Sequence, residues 1–177
     1  GSSSGGHLAL LAALTPYAEE EHGTEIWAKD EWTSPQSIDG SVPAVGAFWA
    51  PVDPAARFMY AKSLDNQLGR RLMTNSIAYF ESEEAMREAS ISRVVSEETT
   101  ARLPRIWFAQ AGNDQNVPAE IVQNLEQAYR TAGGVFEITT YPGSPHGFVH
   151  AGGEASKKFI RDLVSWLDAI FEARSST

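Results

Sequence analysis

The pattern of apolar and polar positions predicts alternating strands and helices, most clearly in the last third of the chain. Residues 105–111 (RIWFAQA) and 135–141 (VFEITTY) are short apolar runs with the length of buried strands. Between them, apolar positions recur at the helical period after Pro118 and stop at the glycine pair 133–134. The final helix carries its apolar face at Phe159, Ile160, Leu163, Trp166, Leu167 and Ile170. This order of elements predicts parallel strands with right-handed crossovers, and therefore an α/β domain.

The first part of the chain contributes one further helix and one further strand. Residues 8–14 (LALLAAL) are predicted to form a buried helix, which ends at Thr15 because Pro16 follows. Residues 42–49 (VPAVGAFW) are apolar and bounded by turn residues, as expected for a strand buried on both faces. This is the first strand that the sequence makes visible.

A helical segment separates this strand from the next one. Between residues 54 and 103 the sequence has two helical patterns, over residues 56–74 and 77–89, and no strand of comparable quality. Such an insertion fits a lid or cap on a single domain that spans residues 1–177. Some of its aromatic side chains are candidates for lining an acyl or aromatic pocket, although side chains at this spacing more often only pack. These candidates are Phe58, Tyr60, Tyr79 and Phe80.

Composition narrows the classes of partner. The chain has 177 residues, of which 42% are hydrophobic, and no apolar run approaches the roughly 20 residues needed to span a bilayer. Its formal net charge of -9 opposes binding to nucleic acid or to anionic membrane surfaces. The absence of cysteine excludes disulfides, cysteine nucleophiles and thiolate metal sites. We therefore expect a small molecule or a protein as partner, and a homodimer is compatible with the sequence.

The start of the chain carries the first candidate for chemistry. Residues 1–5 (GSSSG) have the pattern G-x-S-x-G, in which small residues allow a sharp turn with Ser3 at its tip. The helix over residues 8–14 follows at once, and the first N–H groups of a helix have no partner within it. These groups are suited to holding a developing negative charge. A Gly/Ser-rich start is also typical of a linker, so this motif needs support from elsewhere.

That support comes from two loops in the last third. Asp114 follows the strand over residues 105–111, and His146 follows the strand over residues 135–141. Because the carboxyl ends of parallel strands lie along one edge of a sheet, both side chains are expected at the same edge. A serine hydroxyl needs a base to remove its proton, and a carboxylate fixes the imidazole of that base. Each residue alone is more often an ordinary loop residue, but together with Ser3 they predict a catalytic triad.

One other acidic residue and three other histidines are candidates for roles at or near this site. Asp53 follows the first visible strand and is an alternative acid, although a loop-capping role is more common for such a residue. His7 is expected to pack or to form a hydrogen bond behind the turn. His150 is either a substrate contact or a polar loop residue. His22 lies in an acidic stretch and indicates no metal site, because no second ligand stands at a suitable spacing.

Three stretches resemble one family of enzymes. Residues 1–10 (GSSSGGHLAL) resemble the nucleophile elbow of the α/β-hydrolase esterases related to hormone-sensitive lipase and small bacterial carboxylesterases, where G-D-S-A-G-G precedes a short apolar helix. Residues 110–118 (QAGNDQNVP) resemble the acid loop of that family, and residues 141–148 (YPGSPHGF) resemble its histidine loop. The resemblance implies an α/β-hydrolase fold with a mostly parallel sheet, flanking helices and a helical lid.

The resemblance also implies the role of each site residue. Carried over position by position, it makes Ser3 the nucleophile, Asp114 the acid and His146 the base. The N–H of Ser4 would then be one donor of the oxyanion hole. No cofactor and no metal ion are implied. The expected activity is cleavage of a small-molecule carboxylic ester through an acyl-enzyme. Amides, thioesters and lactones remain open as substrates, and so does a non-catalytic ligand-binding homologue.

The sequence departs from the family in two ways. Ser2 and Ser4 stand where Asp and Ala are usual, and Ala111 stands where the acid loop often has glycine; all three are small, so we expect the turn to form. The family also has several strands before the elbow and an HGGG-type loop that supplies further oxyanion donors. We therefore expect these residues to be the C-terminal part of a hydrolase whose N-terminal remainder is a partner, in the same or a separate chain. The first visible strand would otherwise face an unfilled place in the sheet.

Overall fold

Three parallel strands form the centre of the molecule. The computed structural model describes residues 1–15, 41–97 and 103–175. The strands are β1 (Ala44–Phe48), β2 (Arg105–Ala111) and β3 (Phe136–Tyr141), and they lie in the order β1-β2-β3. All pairs are parallel, with Val45 beside Ile106 and Ile106 beside Phe136. The predicted α/β fold with a parallel sheet is confirmed.

Helices connect and cover these strands. They are α1 (Ser4–Leu14), α2 (Pro54–Ser63), α3 (Gln67–Phe80), α4 (Glu83–Glu88), α5 (Ile91–Glu97), α6 (Ala119–Thr131) and α7 (Glu154–Ser175), with a 3₁₀ turn at Phe148–Ala151. The predicted ends of α1 and α6 and the predicted bounds of β2 are confirmed. Among the described residues, no helix has both the length and the apolarity that crossing a membrane requires.

The sheet divides the interior into two apolar clusters. One cluster joins α1, α5 and α6 to one face of the sheet through residues such as Leu10, Ile91, Phe108 and Leu125. The other joins α7 to the opposite face and is mostly aromatic; it contains Trp49, Trp107, Tyr141, Phe148 and Phe159. Because helices cover both faces, β2 is buried at every position after its first residue. This explains why its sequence is apolar throughout rather than alternating.

The helical insertion between β1 and β2 differs from its predicted pattern. One helix over residues 56–74 and a second over 77–89 were expected, but the described part contains the four helices α2 to α5. The chain breaks before α3 because the Asn66 side chain accepts a hydrogen bond from the Gly69 N–H and begins a new helix. It breaks again at Ser82, which caps α4 by accepting from the Ala85 N–H. The periodicity of apolar residues continues across these caps, which is why it predicted the wrong bounds.

Burial also differs from expectation in two helices. In α5, Ile91 and Val95 belong to the main apolar cluster, so this helix is part of the core beneath the sheet. In α7, the residues of the predicted apolar face are not all buried: Phe159 is buried, whereas Ile160 is 53% and Leu167 is 38% exposed. Whether α2 to α4 form a lid stays a prediction.

The outer edge of β1 is only partly covered. Residues 1–3 run beside its C-terminal half, where the Ser3 N–H donates to the Phe48 carbonyl and the Phe48 N–H donates to the Gly1 carbonyl, both at 2.9 Å. Beside the N-terminal half, the described residues leave a groove of about 300 Å³ between α1 and β1. It is lined by small and apolar residues, namely Gly1, Ala9, Ala12, Ala13, Val42, Ala44, Val45 and Gly46. The described residues therefore do not fill the place beside β1, and the strand expected there stays a prediction.

Candidate active site

Ser3 lies at a sharp turn between the segment beside β1 and helix α1. Its backbone has φ 49° and ψ -127°, a conformation that costs energy for any residue with a Cβ. Hydrogen bonds on both sides hold the turn: the Ser3 N–H donates to Phe48, and the Ser3 carbonyl accepts from Gly6 and His7 at 3.0 and 3.2 Å. The turn thus presents the serine hydroxyl at the carboxyl end of the sheet, as the sequence predicted.

Two glycines make this turn possible, and they differ from the expected pair. A Cβ on Gly1 would lie 2.2 Å from the Gly5 carbonyl oxygen. A Cβ on Gly6 would lie 2.8 Å from the Ala50 Cβ and 2.9 Å from the Gly1 carbonyl oxygen. Gly5, the second glycine of G-x-S-x-G, has open space around its Cβ position. Gly1 therefore has to be glycine, as the G-x-S-x-G pattern implies. The second position that excludes a larger residue is Gly6 and not Gly5, because α1 packs through Gly6.

Asp114 lies in the loop that follows β2, and its side chain is fully buried. Its Oδ1 accepts from the backbone N–H groups of Asn116 and Val117 at 2.8 and 2.9 Å. Its Oδ2 lies 2.8 Å from His146 Nδ1, and the Asp114 side chain is 0% exposed. The carboxylate is thus fixed by its own loop before it contacts the histidine.

His146 lies in the loop after β3, between Asp114 and Ser3. Its Nε2 is 3.0 Å from Ser3 Oγ, and its side chain is 23% exposed. An ionised carboxylate only accepts hydrogen bonds, so Nδ1 donates to Asp114 and Nε2 is left to accept from the serine hydroxyl. The structure thus brings together the three residues that the sequence singled out. This arrangement can activate a hydroxyl for attack on a carbonyl carbon.

Backbone contacts hold the acid loop against the histidine loop. The Gly112 N–H donates to the Tyr141 carbonyl and the Asn113 N–H donates to the Ser144 carbonyl, both at 2.9 Å. A Cβ on Gly112 would lie 2.8 Å from the Tyr141 carbonyl oxygen, so only glycine allows this approach. Gly112 was not among the residues that the sequence singled out. Its position two residues before Asp114, in the acid loop, was the available signal.

The other candidates have structural places. Ser4 is the first residue of α1 and is exposed, and no described residue accepts a hydrogen bond from its N–H. Asp53 caps α2, with its Oδ1 accepting from the Ala56 N–H at 2.9 Å, as the alternative to a catalytic role predicted. His7 is buried, and its Nε2 lies 2.7 Å from the Ala89 carbonyl oxygen. His150 is exposed on the 3₁₀ turn, and His22 lies outside the described residues.

The four aromatic residues proposed for a substrate pocket do not form one group. Phe58 is buried in α2 with the Lys62 ammonium 4.5 Å from its ring centre. The Tyr60 hydroxyl donates to the Gln115 carbonyl at 3.1 Å, in the acid loop. Tyr79 is 67% exposed, and Phe80 contacts both Tyr79 and His7. A role in substrate binding stays a prediction for all four.

Comparison with known proteins gives the family. The model of the dienelactone hydrolase family matches residues 67–171, more than half of the 177 residues. The chain belongs to this family. The matched residues include the loops that carry Asp114 and His146. No curated protein matches the sequence of the chain. The narrower assignment to relatives of hormone-sensitive lipase stays a prediction.

Solved esterases share the fold of this family member. The propionate-bound esterase Est2 from Thermogutta terrifontis is 20% identical, with a TM-score of 0.63 over 96% of this chain and 54% of that one. An inhibited esterase B from Lactobacillus rhamnosis is 17% identical, with a TM-score of 0.69 over 98% of this chain and 53% of that one. At these identities the likeness shows the α/β-hydrolase fold alone. The chain spans about half the length of these esterases.

Proposed function

We propose that this chain carries the catalytic residues of a serine hydrolase that cleaves carboxylic esters. The observation that carries the proposal is the series of hydrogen bonds from Ser3 Oγ through His146 to Asp114, at 3.0 and 2.8 Å, at the carboxyl end of a parallel sheet. Membership of a hydrolase family and a fold shared with esterases support the same reaction class. The substrate is a small-molecule ester.

The mechanism follows from the roles of the three side chains. Ser3 Oγ attacks the ester carbonyl while His146 Nε2 takes the hydroxyl proton. Asp114 keeps the imidazole in the required tautomer and stabilises the imidazolium that forms. His146 then gives the proton to the leaving alcohol, and an acyl-enzyme remains on Ser3. Water, activated by the same imidazole, attacks this acyl group and releases the acid, so the enzyme returns to its starting state.

The oxyanion of each tetrahedral intermediate needs donors next to Ser3. The N–H of Ser4 has no hydrogen-bond partner among the described residues. Ser4 is the first residue of α1, and the dipole of a helix favours negative charge at its N-terminus. One donor is insufficient, because loss of a single donor from an oxyanion hole typically costs about 10²–10³ in rate. We propose that an N-terminal remainder of the hydrolase, in the same or a separate chain, supplies the remaining donors. The same remainder would supply a strand that fills the groove beside β1.

Lactones are a second substrate class. A lactone is a cyclic ester, and the name of the family favours lactones over amides and thioesters. The reaction uses the same residues, except that the alcohol stays attached to the acyl group after the ring opens. The same three side chains also permit amide and thioester cleavage. Rates on a p-nitrophenyl ester, a small lactone and an anilide, compared in one preparation, separate these classes.

The decisive test is removal of the nucleophile in the full-length protein. We expect Ser3→Ala to lower kcat for a p-nitrophenyl ester by at least about 10³-fold, because no other group can form the acyl-enzyme. Ser165→Ala, at an exposed serine on α7, is the matched control and should retain the parent rate. Equal rates for Ser3→Ala and the parent would make a ligand-binding homologue the better account.

A further inference from the structure

Arg57 connects helix α2 to the loop that carries Asp114. Its guanidinium contacts one residue of that loop, Asn116, through two of its nitrogens. Nε donates to the Asn116 carbonyl at 3.1 Å and to Asn116 Oδ1 at 3.0 Å, and Nη2 donates to the same Oδ1. A planar guanidinium that contacts two acceptors of one residue fixes both the position and the orientation of that residue.

Arg57 is partly buried, and the nearby charged groups act on its guanidinium in opposite directions. Burial lowers the pKa of the Arg57 guanidinium, the nearby Asp114 carboxylate opposes this effect, and Arg71 adds to it. Among the described residues, no carboxylate forms an ion pair with Arg57. A partly buried cation that donates its hydrogen bonds to a neutral asparagine gains little stability from charge pairing. The contacts of Arg57 therefore hold the acid loop and do not form a structural salt bridge.

The contact leads directly to the catalytic carboxylate. The N–H of Asn116 donates to Asp114 Oδ1 at 2.8 Å, and Asp114 Oδ2 contacts His146 at 2.8 Å. A second residue of α2 joins the same loop, since the Tyr60 hydroxyl donates to the Gln115 carbonyl. Helix α2 thus contacts Gln115 and Asn116, whose shared peptide group carries the N–H that donates to Asp114. A displacement of α2 would therefore move this N–H. The base of the loop is held independently, from the sheet, by Gln110.

We propose that Arg57 is a positioning residue for the catalytic acid. It holds Asn116 so that Asp114 keeps the His146 imidazole aligned with Ser3. In this way it couples helix α2 to the triad. This role rests on the proposed function. Misplacement of a catalytic group by about 1 Å can cost on the order of 10²-fold in rate. Loss of Arg57 is therefore expected to act mainly on the chemical step.

Steady-state kinetics of the full-length protein test this role. We expect Arg57→Met to lower kcat by about 10–100-fold with little change in KM. Arg70→Met, at an exposed arginine of the neighbouring helix α3, is the matched control and should keep the parent kcat. Arg57→Lys should recover only part of the rate, because an ammonium cannot reproduce the two-nitrogen contact. Titration of active sites with a phosphonate ester normalises each rate to folded enzyme.

A double-mutant cycle keeps the inference falsifiable if Arg57→Met folds poorly. Asn116→Ala removes the Oδ1 acceptor but keeps the N–H that Asp114 needs. Because the Asn116 carbonyl can still accept from Arg57 Nε in this variant, we expect a smaller fall in kcat than in Arg57→Met, and the double variant to be no worse than Arg57→Met. Additive losses, or equal kcat in Arg57→Met and Arg70→Met, would overturn the positioning role.

The failure of the proposed function has a different signature. If Ser3→Ala were as active as the parent, or the parent hydrolysed no ester, the proposed reaction would fall, and the positioning role in it would fall with it. An independent readout is the downfield proton resonance of a histidine bonded to a carboxylate, assigned by its loss in Asp114→Asn. We expect this resonance to persist in Arg70→Met and to broaden in Arg57→Met. An unchanged resonance in Arg57→Met would count against the positioning role whatever the activity.

Discussion

The Asp114 carboxylate divides its two oxygens between two tasks. Oδ1 accepts from two backbone N–H groups of its own loop, which is the ordinary role of an aspartate in a turn. Oδ2 contacts His146, which is the role expected of a catalytic acid. From the sequence these two roles are alternatives, but a single carboxylate has enough acceptor positions for both. The turn contacts orient the side chain, so the histidine contact needs no further ordering of the carboxylate.

This division predicts different consequences for two substitutions of Asp114. Asp114→Asn keeps an acceptor oxygen for the turn, but its amide cannot accept from His146 Nδ1–H. We expect kcat to fall by about 10⁴-fold because the imidazole loses its productive tautomer, with little change in the urea midpoint. Asp114→Ala loses both roles and should also unfold at lower urea. Equal midpoints for the two variants would show that the turn contacts contribute no stability.

Glycine requirements near the site can be tested in the same way. Gly112→Ala places a Cβ 2.8 Å from the Tyr141 carbonyl oxygen, so the acid and histidine loops must separate. We expect a loss of about 1–3 kcal/mol in the free energy of unfolding, measured by urea denaturation. Gly5→Ala adds a Cβ where nothing lies within 4 Å, and should be neutral or stabilising because alanine favours helix. A Gly112→Ala protein as stable as the parent would contradict the close approach.

At the scale of elements, the sequence predicted strands better than it predicted the helical insertion. β2 was predicted with its observed bounds because a central strand covered on both faces must be apolar throughout. The bounds of α3 and α4 depend on single capping residues, Asn66 and Ser82, whose effect is local and leaves the apolar periodicity unchanged. The exposure of Ile160 on α7 depends on which elements pack against the helix, which no local pattern encodes.

His7 joins α1 to the connection between α4 and α5, and this contact should respond to pH. Burial lowers the pKa of His7, while the hydrogen bond to Ala89 and the charge of Asp53 oppose the shift. Below about pH 6.5 the unfolded chain binds a proton at this histidine that the folded chain does not. The contribution of His7 to stability is therefore present above that pH and is lost as the pH falls toward the lower folded pKa.

The variant His7→Gln isolates this effect, because glutamine can donate to the Ala89 carbonyl but does not titrate. We expect the parent to lose more stability than His7→Gln between pH 8 and about pH 5.5, as measured by urea midpoints. His150→Gln, at an exposed histidine, is the control and should follow the parent. Parallel pH dependence in the parent and His7→Gln would show that His7 is not held neutral by burial.

At the scale of the whole molecule, three distant segments meet because the strands are parallel. Ser3, Asp114 and His146 each follow an extended segment, so the topology alone brings them to one edge, and the sequence was sufficient to predict their meeting. Features set by contacts between elements were not predictable. The Arg57 contact and the positive φ of Trp49, at 41°, belong to this group. No periodicity or motif marks either residue, since each depends on a neighbour far away in the sequence.

The open edge of β1 leads to a prediction for the isolated chain. Residues 1–3 pair only with the C-terminal half of this strand, and the described residues leave a groove of about 300 Å³ beside the rest. An unpaired strand edge next to small apolar residues is a template for pairing with another copy. We therefore expect residues 1–177, produced alone, to self-associate in analytical ultracentrifugation and to hydrolyse esters poorly, whereas a preparation that includes the proposed N-terminal remainder should show neither defect. Ala44→Lys places a charge on this edge and should reduce self-association of the isolated chain, while Ser165→Lys on α7 should leave it unchanged. A monomeric, fully active preparation of residues 1–177 would contradict both the open edge and the need for oxyanion donors from outside these residues.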